Sequence, residues 1–148
     1  MTAPRTYAEW SALLDELKNG TDDAAVLAAM KSGTLAWQSG VAERFAKKLT
    51  DAVNTRMNRA SDRFSREMSH PGNGEGNIVR ALLALRREMS FLKQVMDLPV
   101  IPEKDRAQYC QLVQAQADNM QKSLEDSAKR DRSGKLASII RNHRVNTL

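Results

Sequence analysis

The feature that most constrains this chain is a ladder of apolar residues at Trp37, Val41, Phe45, Leu49, Val53, Met57, Ala60, Phe64 and Met68. Steps of four and three line up one side of an α-helix, so the stretch from Trp37 to Ser69 reads as one long amphipathic helix. Each four-residue step advances about 40° around a straight helix, so the stripe winds, and Val41 and Met57 point different ways. The two halves of this helix are therefore expected to pack against different partners. Thr34 and Ser39 both qualify as its cap, and Trp37, which carries the ladder backwards, favours the earlier start. On the same helix Arg56, Arg59, Arg63 and Arg66 fall within an arc of about 80°, beside the apolar stripe.

The rest of the chain supplies helices to meet it. Thr6 and Glu9 have capping-box spacing, which starts a helix at Tyr7 with Trp10, Leu13, Leu14 and Leu17 on its apolar face and Asn19-Gly20 at its end. Thr21, followed by Asp22 and Asp23, opens a short alanine-rich helix that closes at Gly33. The segment from His70 to Gly76, with Pro71 and three glycines, reads as an exposed loop. After it, Ile78, Leu82, Leu85, Met89, Leu92 and Met96 form a heptad-like seam, widened by Val79, Leu83 and Phe91. Pro99 and Pro102 break that helix and start the next, from about Glu103 to Lys129, whose stripe is Tyr109, Val113, Ala117, Met120 and Leu124. A short basic helix around Leu136, Ile139 and Ile140 follows, and residues 143–148 are expected to fray. The pattern predicts an all-α fold, a single-domain bundle of about five to six helices over residues 1–148 around a central antiparallel helical hairpin.

With Cys110 as its only cysteine the chain has no internal disulfide and no cysteine-rich zinc site, which fits a reducing cytoplasm. The N-terminal residues lack the apolar core of a signal peptide, and no window approaches a membrane span. No pair of histidines has ligand spacing, so neither a metal nor another cofactor is expected. Ser133-Gly134-Lys135 fails as a phosphate loop, because Lys129 stands where the first glycine belongs and Leu136 where a hydroxyl must hold magnesium. It reads instead as the start of the last helix.

Charge is the more informative signal. The net charge of +5 is unevenly spread: residues 34–69 carry +3 and residues 128–148 carry +5, while 1–33 and 103–127 each carry −2. The arginine row spans about 15 Å of helix, a length that matches successive phosphates, and Asn54, Asn58, Ser61 and Ser65 stand beside it. Asp62 and Glu67 are close enough to neutralise part of the row, as on any solvated helix face. The denser cluster is Lys129, Arg130, Arg132, Lys135, Arg141 and Arg144, with His143, in a basic C-terminal segment (129–148) that is expected to be lightly anchored. Aromatic residues are few and sit on apolar faces, which disfavours base stacking, and no helix-turn-helix pattern supports base-specific readout.

Arg63 and His70 resemble the Arg-x(4–6)-His motif of the HEPN family of all-helical proteins, many of them ribonucleases. The resemblance covers these two residues and the helical character of the chain. It implies a histidine that moves a proton from a ribose hydroxyl and an arginine that steadies the phosphate. Phe64 stands where the family usually has a polar residue, and His70 precedes a proline.

These observations favour a non-enzymatic regulatory or accessory module that binds nucleic acid or a nucleoprotein machine through Arg56, Arg59, Arg63, Arg66 and the basic tail. The alternative is a protein-interaction or assembly component, an adaptor, inhibitor or phage-type structural protein, with seven methionines giving an adaptable contact surface. The ribonuclease reading stands third. No membrane partner is expected.

Overall fold

A computed structural model describes residues 1–69 and 74–148, and among them the chain is all-α. Six helices follow in order: α1 Tyr7–Asn19, α2 Asp23–Lys31, α3 Val41–Met68, α4 Glu75–Met96, α5 Glu103–Ala128 and α6 Lys135–Asn142. Of the loop expected from His70 to Gly76, residues 70–73 lie outside the described residues, and α4 already begins at Glu75 behind Gly74. Two compact units divide the chain. Unit 1 comprises Met1–Asn58 with Leu98–Arg106, and unit 2 comprises Arg59–Asp97 with Ala107–Leu148.

In unit 1 the caps follow local chemistry. The Thr6 hydroxyl accepts the Glu9 amide at 3.2 Å and donates to the Glu9 carboxylate at 3.1 Å, so the capping pair closes side chain to side chain. Gly20, at φ 72°, ends α1 and returns its N–H to the Glu16 carbonyl. Asp22 rather than Thr21 caps α2, accepting the Ala25 amide, while the Thr21 hydroxyl donates to Glu16. Helices α1 and α2 pack on one another, burying Trp10, Leu14, Leu17, Val26 and Met30 completely.

The long helix starts later than its apolar ladder predicts. Gly40 has φ 83°, a left-handed turn that helix geometry does not permit, and α3 opens at Val41. Thr34 is instead tied to Trp10 and Pro4. The Trp10 indole N–H donates to the Thr34 carbonyl at 2.8 Å, and the Thr34 N–H donates to Pro4 at 2.9 Å. A Cβ on Gly33 would stand 2.5 Å from the Trp10 ring and 2.8 Å from Pro4, so only glycine admits this approach. Trp37 packs edge-on against Phe45 but remains 41% exposed, although it belongs to the apolar ladder.

In unit 2 the α4 seam is core: Leu82, Leu85, Met89, Leu92 and Met96 are buried and Ile78 half-buried. Full burial of each such side chain stabilises by about 1.5–3 kcal/mol, so this helix anchors the unit. Helix α6 packs on α4 through the buried Ile139 and Ile140. The inward face of α5 runs through Val113, Ala117, Gln121 and Ala128, while Met120 and Leu124 stay half-buried.

The C-terminus does not fray. Val145 is fully buried, and its N–H donates at 3.0 Å to the side-chain oxygen of Gln121, which is itself 2% exposed. Gln121 also donates to Glu125 at 3.0 Å, so both ends of its amide are used. Asn146 donates to Asp118, and Gln114 donates both to Asp118 and to the Asn146 carbonyl. Those two side-chain hydrogen bonds, from Asn146 first and Gln114 second, hold the Asp118 carboxyl below its ordinary range. Gln121→Leu keeps the volume but strands the Val145 amide, a loss of about 1–3 kcal/mol. The expected result is fast hydrogen exchange at Val145 with α4 still protected; unchanged Val145 protection contradicts the docking role.

Candidate nucleic-acid interface

The positive charge belongs to unit 2. Unit 1 holds nine lysines and arginines against nine acidic residues, and unit 2 holds fourteen against nine, so the whole formal excess of +5 lies there. Whether that excess can meet a ligand depends on where each side chain stands and on what it already holds.

Arg56 leaves the predicted row. It is 7% exposed and grips Asp23 through two parallel hydrogen bonds of 2.7 and 2.8 Å, while Nη1 also donates to the Leu17 carbonyl at 3.0 Å. Leu17 lies in the last turn of α1, where carbonyls lack helical partners, and Asp23 is the first residue of α2. The guanidinium therefore closes the α1–α2 turn. The cause is the winding stripe. Arg56 lies two turns from Leu49 and three from Phe45, within about 20° of both around the helix, so it falls on the face that the N-terminal half of α3 buries. By Phe64 and Met68 the apolar face has rotated by about 100°, which leaves Arg59, Arg63 and Arg66 outside.

These three arginines are exposed. Arg59 and Arg66 border one shallow depression with Asp62 and Ser65, so an acid stands between two cations as the sequence suggests. Arg63 and Arg66 form no ion pair among the described residues.

The C-terminal cluster is sorted in the same way. Arg130, Arg132 and Arg141 are exposed and form no ion pair among the described residues. Lys129 pairs with Asp126 at 3.3 Å on a solvated edge, an interaction of small energy. Arg144 pairs with Glu125 at 3.4 Å and donates to Asn146 at 3.2 Å, which commits it partly to the docked tail. Lys135 is exposed on the first turn of α6. Arg80 and Arg87 on α4 and Lys122 on α5 are further exposed cations of the unit that the sequence reading passed over.

Asp131 shapes the loop that presents Arg130 and Arg132. Its carboxylate accepts the Leu136 amide at 3.0 Å, the Ser133 hydroxyl at 2.8 Å and the Ser133 amide at 3.2 Å, while Gly134 takes φ 75°. The Leu136 backbone bond, then the two from Ser133, hold its carboxyl below the ordinary aspartate value. A carboxylate depressed on folding stabilises above its unfolded value and loses that contribution as pH falls through the lower, folded value. Acidification below the ordinary aspartate range should therefore release the Leu136 amide while the α4 core stays protected. An amide-shift titration followed at Leu136 checks this, and Asp131→Ala should give the same exchange at neutral pH.

Unit 2 also contains a groove of about 490 Å³. Its apolar lining is Phe64, Met68, Leu85, Met120 and Leu124, and serines together with Gln116 and Asn119 form the polar remainder. Among the described residues no titratable side chain lines it. On α3 the lining residues Ser61, Phe64, Ser65 and Met68 centre about 180° from the arginine row, and Ser65 alone borders both the groove and the depression beside Arg59 and Arg66.

The histidine of the HEPN-like pair, His70, lies outside the described residues, and Arg63 stands exposed on α3. Among the described residues no group of histidine, cysteine or acidic side chains has metal-site geometry, and no helix is long and apolar enough to cross a membrane. Comparison with known proteins returned no matching family model, no similar curated protein and no similar solved structure.

Proposed function

We propose that this protein is a non-enzymatic accessory module that binds nucleic acid through sequence-independent phosphate contacts from unit 2. The observation that carries this reading is the set Arg63, Arg66, Arg130, Arg132 and Arg141, exposed and, among the described residues, without ion pairs, in the unit that holds the entire excess charge. Guanidinium groups that a fold does not consume are suited to bidentate contact with phosphate oxygens. The scarcity of exposed rings in unit 2 favours backbone contact over base stacking. Lys135, Lys129, Arg59 and Arg144 add to the field around the five without being required as contacts. The lone Cys110 is compatible with a reducing cytoplasm, where such a module would act.

Binding of labelled duplex DNA and RNA, measured against salt, tests the reading. Five phosphate contacts predict a slope of log K against log salt of about −4 to −5 on duplex DNA. Micromolar protein that retains neither nucleic acid at low salt ends the proposal.

The half-buried apolar lining of the unit 2 groove favours a second reading, a protein-interaction component without nucleic acid. Co-purification with and without nuclease treatment separates the two. A partner lost on nuclease treatment supports the first, and a stoichiometric protein retained through it supports the second.

A further inference from the structure

Unit 1 is neutral as a whole, yet one concave surface on it is not. A cleft of about 400 Å³ between α1 and the N-terminal half of α3 is lined by Tyr7, Leu14, Asp15 and Lys18 from the first helix and by Arg44, Lys47, Lys48, Asp51 and Ala52 from the second. Four cations face two carboxylates there, an excess of two positive charges on one small cavity.

Two of the cations are held in place. Lys48 Nζ contacts Asp15 at 3.1 Å and donates to the Ser11 hydroxyl, and its side chain is 31% exposed. The Arg44 guanidinium lies over the Tyr7 ring with its carbon 4.7 Å from the centroid. The cation–π contact holds the guanidinium at the cleft. Arg44 and Lys47 form no side-chain hydrogen bond or ion pair among the described residues, and both are exposed.

We infer that this cleft is a binding site for a dianionic phosphate group, gripped by the Arg44 fork and the Lys47 ammonium beside the fixed charge of Lys48. The charge excess of the lining matches such a group, and a planar fork next to a point charge suits its tetrahedral oxygens. Asp15 and Asp51 set a limit on the other side, since they disfavour a longer polyanion laid across the whole cleft. The group is carried either by a small phosphate monoester or by the phosphorylated end of a nucleic-acid strand. The site is independent of the proposed arginine surface, because none of its residues lies in unit 2.

Titration of the full chain with phenyl phosphate, read by amide and Arg side-chain shifts in NMR spectra, tests the inference. Saturable shifts centred on Tyr7, Arg44 and Lys47 are expected, and Arg44→Ala with Lys47→Ala should weaken binding about tenfold or more. Lys47→Ala alone breaks no contact of the fold, so its expected loss of about threefold to fivefold is free of any folding defect. Arg63→Ala with Arg66→Ala should leave the shifts at Tyr7, Arg44 and Lys47 unchanged. If phenyl phosphate does not bind but a 5′-phosphorylated oligonucleotide binds more weakly to the double variant than to wild type, the strand is the source of the phosphate. Absence of saturable shifts up to about 10 mM phenyl phosphate, together with equal oligonucleotide affinity for both proteins, overturns the inference.

Discussion

Arg56→Ala should lower the unfolding free energy by about 3 kcal/mol, the largest stability loss expected from any charged side chain of this protein. Three consequences combine. The Leu17 carbonyl loses its donor in a buried position, the space under Gly20 empties, and Asp23 keeps a carboxylate without its partner. Asp23 is 38% exposed, so water recovers part of its charge, and the loss falls at the lower end of the range for a broken buried pair. A fall in melting temperature of about 10 °C should accompany it. Arg56→Lys should recover little, because one ammonium cannot reproduce a two-bond grip on Asp23 and a third bond to Leu17. Arg56→Met, which refills the stem volume and leaves Asp23 to solvent, should recover more than Arg56→Lys. Thermal melts of the three variants read this order. A loss for Arg56→Ala below about 1 kcal/mol would mean that the α1–α2 turn holds without its guanidinium.

The same residue shows what was legible in the sequence. Arg56 belongs to a regular arginine row, and regularity alone groups it with Arg59, Arg63 and Arg66. The winding of the stripe, itself visible in the spacing from Phe45 to Met68, contains the information that separates them. A row fixed in azimuth must cross from the buried to the open side as the apolar face rotates beneath it. Caps and helix ends at Thr6, Gly20 and Gly134 were readable because their hydrogen bonds span three or four residues.

Features that depend on distant partners were not readable. Residues 34–40 are drawn from helical geometry by the Trp10 indole bond to Thr34, made across 24 positions, and by Gly40 at positive φ. The C-terminal tail is held by Gln121, again 24 positions from Val145. Nothing local marks a glutamine on a Gln-rich helix as the one that receives the chain end. The Tyr7–Arg44 stack, formed across two helices, escaped for the same reason, and with it the cleft of unit 1.

The exposed arginines should behave oppositely to Arg56. Replacing Arg130, Arg132 and Arg141 together by Ala should leave stability within about 0.5 kcal/mol, since none of them forms an ion pair that the fold uses. The same change should weaken duplex binding by about 100-fold or more at 50 mM salt and reduce the salt slope by about 3. Arg63→Ala with Arg66→Ala should reduce it by about 2. The comparison of the two sets carries geometric information that neither carries alone. If one duplex meets both segments, the reductions add and the combined variant loses nearly all salt dependence. If only one segment meets the strand, the other set leaves slope and affinity at their wild-type values. Arg56→Ala, measured at a temperature where it remains folded, should bind as wild type does in either case. Equal binding by all three variants would remove the arginines from the interface and leave the unit 2 groove as the surface to pursue.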